Sequence, residues 1–167
     1  AANGGTLSIT GGTTVAPTGN LTSTGDMTLS GSDRLTLSSI TAEVTGTGAI
    51  NLTGGTLAST NGGLEIITST VKSTSGAINV TANASASWGF YIRSTSKIQT
   101  TSGAITIIGN APSNVWGGHL GAVDVLSSSG AIVIDGKTSY GISAGYLATT
   151  NIGAISPATS SSTIQVI

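Results

Sequence analysis

Gly103-Ala104-Ile105-Thr106-Ile107 recurs along the chain as Gly48-Ala49-Ile50-Asn51-Leu52, Gly76-Ala77-Ile78-Asn79-Val80 and Gly130-Ala131-Ile132-Val133-Ile134. The shared template is Gly, Ala, then large apolar residues at alternate positions. Gly153-Ala154-Ile155 reads as the opening of a fifth copy. The glycines at 48, 76, 103, 130 and 153 stand 28, 27, 27 and 23 residues apart. A period of that length, built on a short strand of period 2, predicts a solenoid in which each repeat is one coil stacked on the last.

Within the coil from Gly103, Ala104 to Ile108 reads as a strand, and Asn110 to Asn114, with Pro112, as a turn. Gly118-His119-Leu120 forms a second segment and Val123-Asp124-Val125-Leu126 a third. The coil from Gly76 aligns with Ala77–Thr81, Phe90–Arg93 and Lys97–Thr100. The coil from Gly48 aligns with Ala49–Thr53, Leu64–Ile67 and Thr70–Ser73, and that from Gly130 with Ala131–Asp135, Gly141–Ala144 and Leu147–Thr149. Insertions fall between the first and second segments. Three short strands per coil predict an all-β, right-handed parallel β-helix, with Ile, Leu and Val inward and Thr, Ser and Asn outward.

The whole chain, 1–167, reads as one such domain of about six to seven coils of 20–28 residues. Residues 48–167 carry the regular coils. Residues 1–47 hold shorter, less regular ones, opening at Gly5-Thr6-Leu7-Ser8-Ile9 and Gly25-Asp26-Met27-Thr28-Leu29. The end, Ser162-Thr163-Ile164-Gln165-Val166-Ile167, aligns with the second segment of an unfinished coil. An outer-membrane barrel, the competing all-β architecture, needs strands of about 10 residues and aromatic girdles. These strands are nearer five, and aromatics are 4% of the chain.

Composition narrows the function. Only 7% of residues are charged, against about 25% in typical domains. Thr (28), Ser (25) and Gly (25) make up nearly half the chain. The regular apolar alternation rejects disorder, which such polar composition otherwise suggests. The net charge of −1 and the absence of a basic run argue against nucleic acid as a partner. With no cysteine, neither disulfides nor thiolate metal sites are available. No apolar run reaches the roughly 18 residues of a membrane helix. The opening Ala1-Ala2-Asn3, without Met or signal peptide, fits a processed product or a segment of something longer.

The chemistry-bearing residues are sparse, and no catalytic residue, metal site or cofactor is expected. The acids Asp26, Asp33, Glu43, Glu65, Asp124 and Asp135 occupy different positions in their coils, whereas polysaccharide-cleaving β-helices need clustered carboxylates or a base beside metal-binding acids. Asp135 and Lys137 are the closest acid–base pair, at a turn. His119 is the single histidine and lacks a second ligand for a metal. The Gly-Gly-x-Gly-x-Asp calcium repeat is missing. Gly11-Gly12, Gly54-Gly55 and Gly62-Gly63 lack the Lys and helix of a phosphate loop and read as turns. Asn-x-Ser/Thr triplets at Asn20, Asn51, Asn79 and Asn83 carry little weight in so Ser/Thr-rich a chain.

The aromatics Trp88, Phe90, Tyr91, Trp116, Tyr140 and Tyr146 all lie in the C-terminal half. Counted from each coil's Gly, Trp88 is at offset 12, Trp116 at 13 and Tyr140 at 10. They are expected to form one stripe along successive coils, with Tyr91 and His119 beside it. Such a stripe either covers the coil corner or meets a glycan or protein partner.

The blocks Ser75-Gly76-Ala77-Ile78, Ser102-Gly103-Ala104-Ile105 and Ser129-Gly130-Ala131-Ile132, with Thr/Ser-rich turns and Gly89-Phe90-Tyr91-Ile92 in a second segment, resemble the repeat region of filamentous-haemagglutinin-like secreted bacterial adhesins. The resemblance covers Gly48 to the C-terminus and implies an exported β-helix shaft at the bacterial surface, serving adhesion or a filament. The Asn-Pro-Asn motifs of that family's secretion domain are missing. The leading expectation is therefore a non-enzymatic structural protein. Its partners are copies of itself or further repeats stacked through Thr6, Leu7, Ile9, Ile164 and Val166, and surface glycans. A carbohydrate-binding or polysaccharide-cleaving β-helix is the alternative. Ice binding by Thr rows ranks last, because outward Thr is interspersed with Ser, Asn and Asp.

Overall fold

In a computed structural model, which describes residues 5–56, 62–112, 115–138, 140–144, 151–153 and 164–166, the alternating segments form a parallel β-solenoid. The chain runs through β1 (Leu7–Gly11), β2 (Thr14–Val15) and β3 (Leu21–Ser23). Next come β4 (Met27–Gly31), β5 (Arg34–Ser38) and β6 (Thr41–Val44), then β7 (Ile50–Gly54), β8 (Leu64–Ile67) and β9 (Thr70–Ser73). β10 (Ile78–Asn83), β11 (Phe90–Thr100), β12 (Ile105–Asn110) and β13 (Gly118–Ser127) form the following two turns. β14 (Ile132–Lys137), β15 (Ile142–Ala144), β16 (Asn151–Gly153) and β17 (Ile164–Val166) complete the order. No helix occurs among the described residues, so none there is long and apolar enough to cross a membrane.

First segments stack as one seven-stranded sheet, β1-β4-β7-β10-β12-β14-β17, and the other segments form a ten-stranded sheet. Every pairing is parallel and in register with the repeat. Ile50, Ile78, Ile105 and Ile132 are consecutive Cα partners, as are Leu52, Val80, Ile107 and Ile134. Of these eight, Leu52 is 1% exposed and the rest 0%. Met27 and Leu29 extend both columns. Burying each such side chain contributes about 1.5–3 kcal/mol. The second segments add Leu35, Leu64 and Phe90, then Gly118, whose Cβ would collide with the Phe90 ring. The third add Ala42, Val71, Ile98 and Val125.

A second inward column is polar. Ser73, Thr100 and Ser127 close three successive third segments and are buried. Each hydroxyl donates to the carbonyl of the repeat glycine that opens its own turn: Ser73 to Gly48 at 3.4 Å, Thr100 to Gly76 at 3.2 Å, Ser127 to Gly103 at 3.0 Å. Each also accepts the N–H of the glycine three residues on that opens the next turn, Gly76, Gly103 or Gly130. The glycines are packed so closely that a Cβ on Gly76, Gly103 or Gly130 would collide with the carbonyl below. The repeat glycine is therefore one half of a Ser/Thr-x-x-Gly clip. The expectation of apolar residues alone facing inward missed this, since a hydroxyl that both donates and accepts is fully satisfied when buried.

The fold class is as expected, and three details differ. About four turns are full length, those opening with β7, β10, β12 and β14, and shorter ones precede them. Second and third segments merge in β11 and β13, because the corner between them is a bulge: the register shifts between Arg93 and Ser96, and Ser94, Thr95 and Ala122 take positive φ near 60°. Gly153 does not open a coil, and the chain's end is not a second segment. Gly153 pairs with Leu126 in a third segment, and Ile164 pairs with Ile132 in the first-segment sheet. The template fails at Gly153 for a reason visible in its own continuation. Pro157 would fall at the second inward position, and proline cannot donate to a ladder. Ile164-Gln165-Val166 supplies both apolar positions. The expected third segment Leu147–Thr149, and Ala154 and Ile155, lie outside the described residues; Asn151–Gly153 takes the third-segment place.

Candidate functional site

Parallel stacking places residues of like position roughly 4.8 Å apart on successive turns. On the outer face of the second segments that rule aligns Thr36, Glu65, Tyr91, His119 and Ser143. The next outward position carries Ser38, Ile67, Arg93 and Gly121. These columns bring Glu65, Tyr91, Arg93 and His119 onto one stretch of the solenoid wall.

Insertions enter this face through narrow necks. The chain leaves the first sheet at Gly109 and returns at Gly117, with no room for a Cβ on Gly109 against the Gly117 carbonyl. Gly89, Gly117 and Gly141 are the corresponding re-entry points, linked turn to turn by Phe90 N–H to Gly117 O (3.3 Å) and Gly117 N–H to Gly141 O (2.8 Å). Trp88, Trp116 and Tyr140 each immediately precede one of these glycines, so all three share one position at the mouth of the loops.

Their rings nonetheless divide into two groups. Trp116 and Tyr140 face each other with centroids 5.6 Å apart, 39% and 53% exposed. Trp88 turns to the strand face instead, with its centroid 4.9 Å from both Tyr91 and His119. The Tyr91 and His119 rings lie 5.0 Å apart at 30°, and the Arg93 guanidinium carbon sits 5.0 Å over Tyr91. Gly121 leaves the space for the imidazole; a Cβ there would sit 2.8 Å from His119 Nε2. Tyr146 lies outside the described residues.

Below the aromatic group, Glu65 lies 3.6 Å from Arg34 and accepts from Thr36 Oγ1 at 3.4 Å, both through Oε2. Glu65 and His119 are only 4% and 8% exposed although their side chains point outward. Three buried atoms of this face have no hydrogen-bond partner: Glu65 Oε1, His119 Nδ1 and Arg93 Nε. Each such atom costs about 1–3 kcal/mol in a finished fold. Burial holds the His119 pKa below its ordinary 6.5, and the nearby Arg93 charge lowers it further, so the imidazole is neutral at pH 7.

The arrangement offers stacking surface, a guanidinium and a neutral imidazole on one half-buried face. Glu43 pairs with Lys72 (3.0 Å), Asp124 with Lys97 (3.8 Å) and Asp135 with Lys137, while Asp26 accepts the Ala49 N–H at 2.8 Å. These acids are thus spent in separate structural contacts. Among the described residues no group of three His, Cys, Asp or Glu could hold a metal.

The residues expected at the ends are at the ends. Thr6 is exposed and Leu7 and Ile9 are half-buried on the terminal strand β1. Val166 is 51% exposed on β17, and Ile164 stands in register with Ile132. Sequence reading had not joined Glu65 and Arg93 to Tyr91 and His119. The signal was present: Leu64-Glu65-Ile66, Phe90-Tyr91-Ile92 and Gly118-His119-Leu120 put them at the same place in the second segment. No family model, no curated protein and no solved structure matches this chain.

Proposed function

We propose that this chain is a non-enzymatic shaft segment of an extracellular bacterial filament or adhesin, its stack of coils continued at each end by further coils or by another copy. The observation that carries the reading is the state of the core columns at the terminal strands. Inside the stack Met27, Leu29, Ile132 and Ile134 are 0% exposed; at the edges Leu7 and Ile9 are half-buried and Val166 is 51% exposed. Both edges also present unpaired ladder groups among the described residues, which recruit strands unless covered. A contact of one end with the other is head to tail and builds an open fibre. The low charge offers little repulsion between copies, and Asp26, Glu43, Glu65, Asp124 and Asp135 are held in separate ion pairs or a backbone contact. The resemblance to surface adhesin repeats supports the location.

Light scattering and electron microscopy over a concentration series test it. Rods one solenoid wide, lengthening with concentration, are expected. Ile9→Lys and Val166→Lys should each shorten them without changing the circular dichroism. A monodisperse monomer at every concentration would sink the stacking of copies.

A further inference from the structure

The outer face built by Trp88, Tyr91, Arg93, His119 and Glu65 is more than the shaft requires. A structural wall column of this solenoid is met elsewhere by small mutually bonded side chains, as where Asn79 donates to Asn51 at 2.9 Å and Asn110 donates to Asn83 at 2.8 Å. Here the face brings together three rings in mutual contact and three buried polar atoms left without partners, on three successive turns. Buried polar groups are nearly always paired in a finished structure, and a cluster of exceptions marks a place where something else supplies the partners.

The chemistry of those partners can be read from the set. The unpaired groups include an acceptor, Glu65 Oε1, and a donor, Arg93 Nε, so the face is polar in both senses. The charge is also unbalanced. Glu65 lies against Arg34, whereas Arg93 meets the Tyr91 ring and no carboxylate among the described residues. A guanidinium with a half-exposed end is matched by a carboxylate, which it can grip with two N–H donors. The Trp88 and Tyr91 rings supply the apolar surface on which the C–H face of a sugar ring stacks. Purely anionic ligands lack that face, and neutral sugars leave Arg93 unmatched.

We propose that this cradle is a binding subsite for a carboxylate-bearing sugar of an acidic polysaccharide, its carboxylate on Arg93 and its ring on Trp88. A polysaccharide running along the solenoid axis would next meet Trp116 and Tyr140, one and two turns further on. The proposal does not depend on end-to-end stacking, and its test reads a different quantity.

The test uses the full 167-residue protein and three probes: oligogalacturonate, a neutral oligogalactoside of equal length, and sulfated dextran. Tryptophan fluorescence and calorimetry report binding. Oligogalacturonate should bind at least tenfold more tightly than the neutral oligomer, with a change in tryptophan emission. Arg93→Gln should abolish that preference, and Trp88→Leu should weaken binding of oligogalacturonate at least tenfold. Circular dichroism and thermal melting confirm that each variant is folded; if Arg93→Gln does not fold, Arg93→Lys replaces it and should reduce the preference. Equal binding of both oligomers, no binding of either, sulfated dextran binding as tightly as oligogalacturonate, or unchanged affinity in Arg93→Gln and Trp88→Leu would each overturn the proposal.

Discussion

Ser127 shows how single residues hold turns together. Its hydroxyl donates to Gly103 O and accepts from Gly130 N, joining two turns through one atom. Ser127→Ala leaves a part-buried N–H and C=O short of a partner, a loss of about 1 kcal/mol. Urea denaturation should show a lower midpoint with an unchanged slope. Gly130→Ala should cost more than Ser127→Ala, because its Cβ meets backbone that cannot step aside. His119 gives a pH effect whose sign follows from its environment. Its folded pKa lies below 6.5, so the unfolded chain takes up a proton at higher pH than the folded one. The stability it contributes is present above pH 6.5 and is lost as the pH falls through the lowered folded value. Melting temperature should therefore drop between about pH 7 and about pH 5, and His119→Gln should flatten part of that drop. Equal slopes in both proteins would show that the imidazole does not titrate differently on folding.

At the scale of strands, β11 and β13 depend on one exchange of volume. Phe90 fills the core where its partner in the next turn, Gly118, has no side chain. Gly118→Ala should destabilise by about 1–3 kcal/mol through overpacking. Phe90→Leu in the same background should recover part of the loss, a coupling that a double-mutant cycle measures. Additive losses would mean that the ring and the glycine do not share the space. Ile105 lies at the centre of the first-segment sheet at 0% exposure, between Ile78 and Ile132. Ile105→Asp buries an unpaired charge at a cost of several kcal/mol and should abolish the cooperative thermal transition.

For the whole molecule, stability is close to a sum over turns and over the interfaces between neighbours. Covering an end adds one interface without altering the others. Stacked protein should accordingly melt at a higher temperature than dilute protein, and Val166→Lys should remove that dependence on concentration. A melting temperature independent of concentration in the unsubstituted protein would count against stacking of copies. The glycan cradle lies on the side of the stack, so ligand binding and elongation should not compete.

What the sequence determined by itself is the winding. An apolar pair at constant distance from a repeated glycine is a local pattern, and it names the inward columns from Met27 to Ile134 whatever the loops do. The outer face was decided by tertiary structure. Glu65, Tyr91 and His119 lie 17, 15 and 16 residues after their glycines, because the insertions between first and second segments differ in length. Aligning the second segments places the three in one column, but only the folded stack brings the Tyr91 and His119 rings against Trp88 and sets Arg93 over Tyr91. The same holds for the Ser/Thr-x-x-Gly clip, whose bonds back to the glycine that opens the turn span 24 or 25 residues, and for the last turn, where a glycine that matched the motif gave way to a strand that matched the register. Contacts between turns are set by hydrogen-bond register, which acts across the fold and leaves no fixed spacing along the chain.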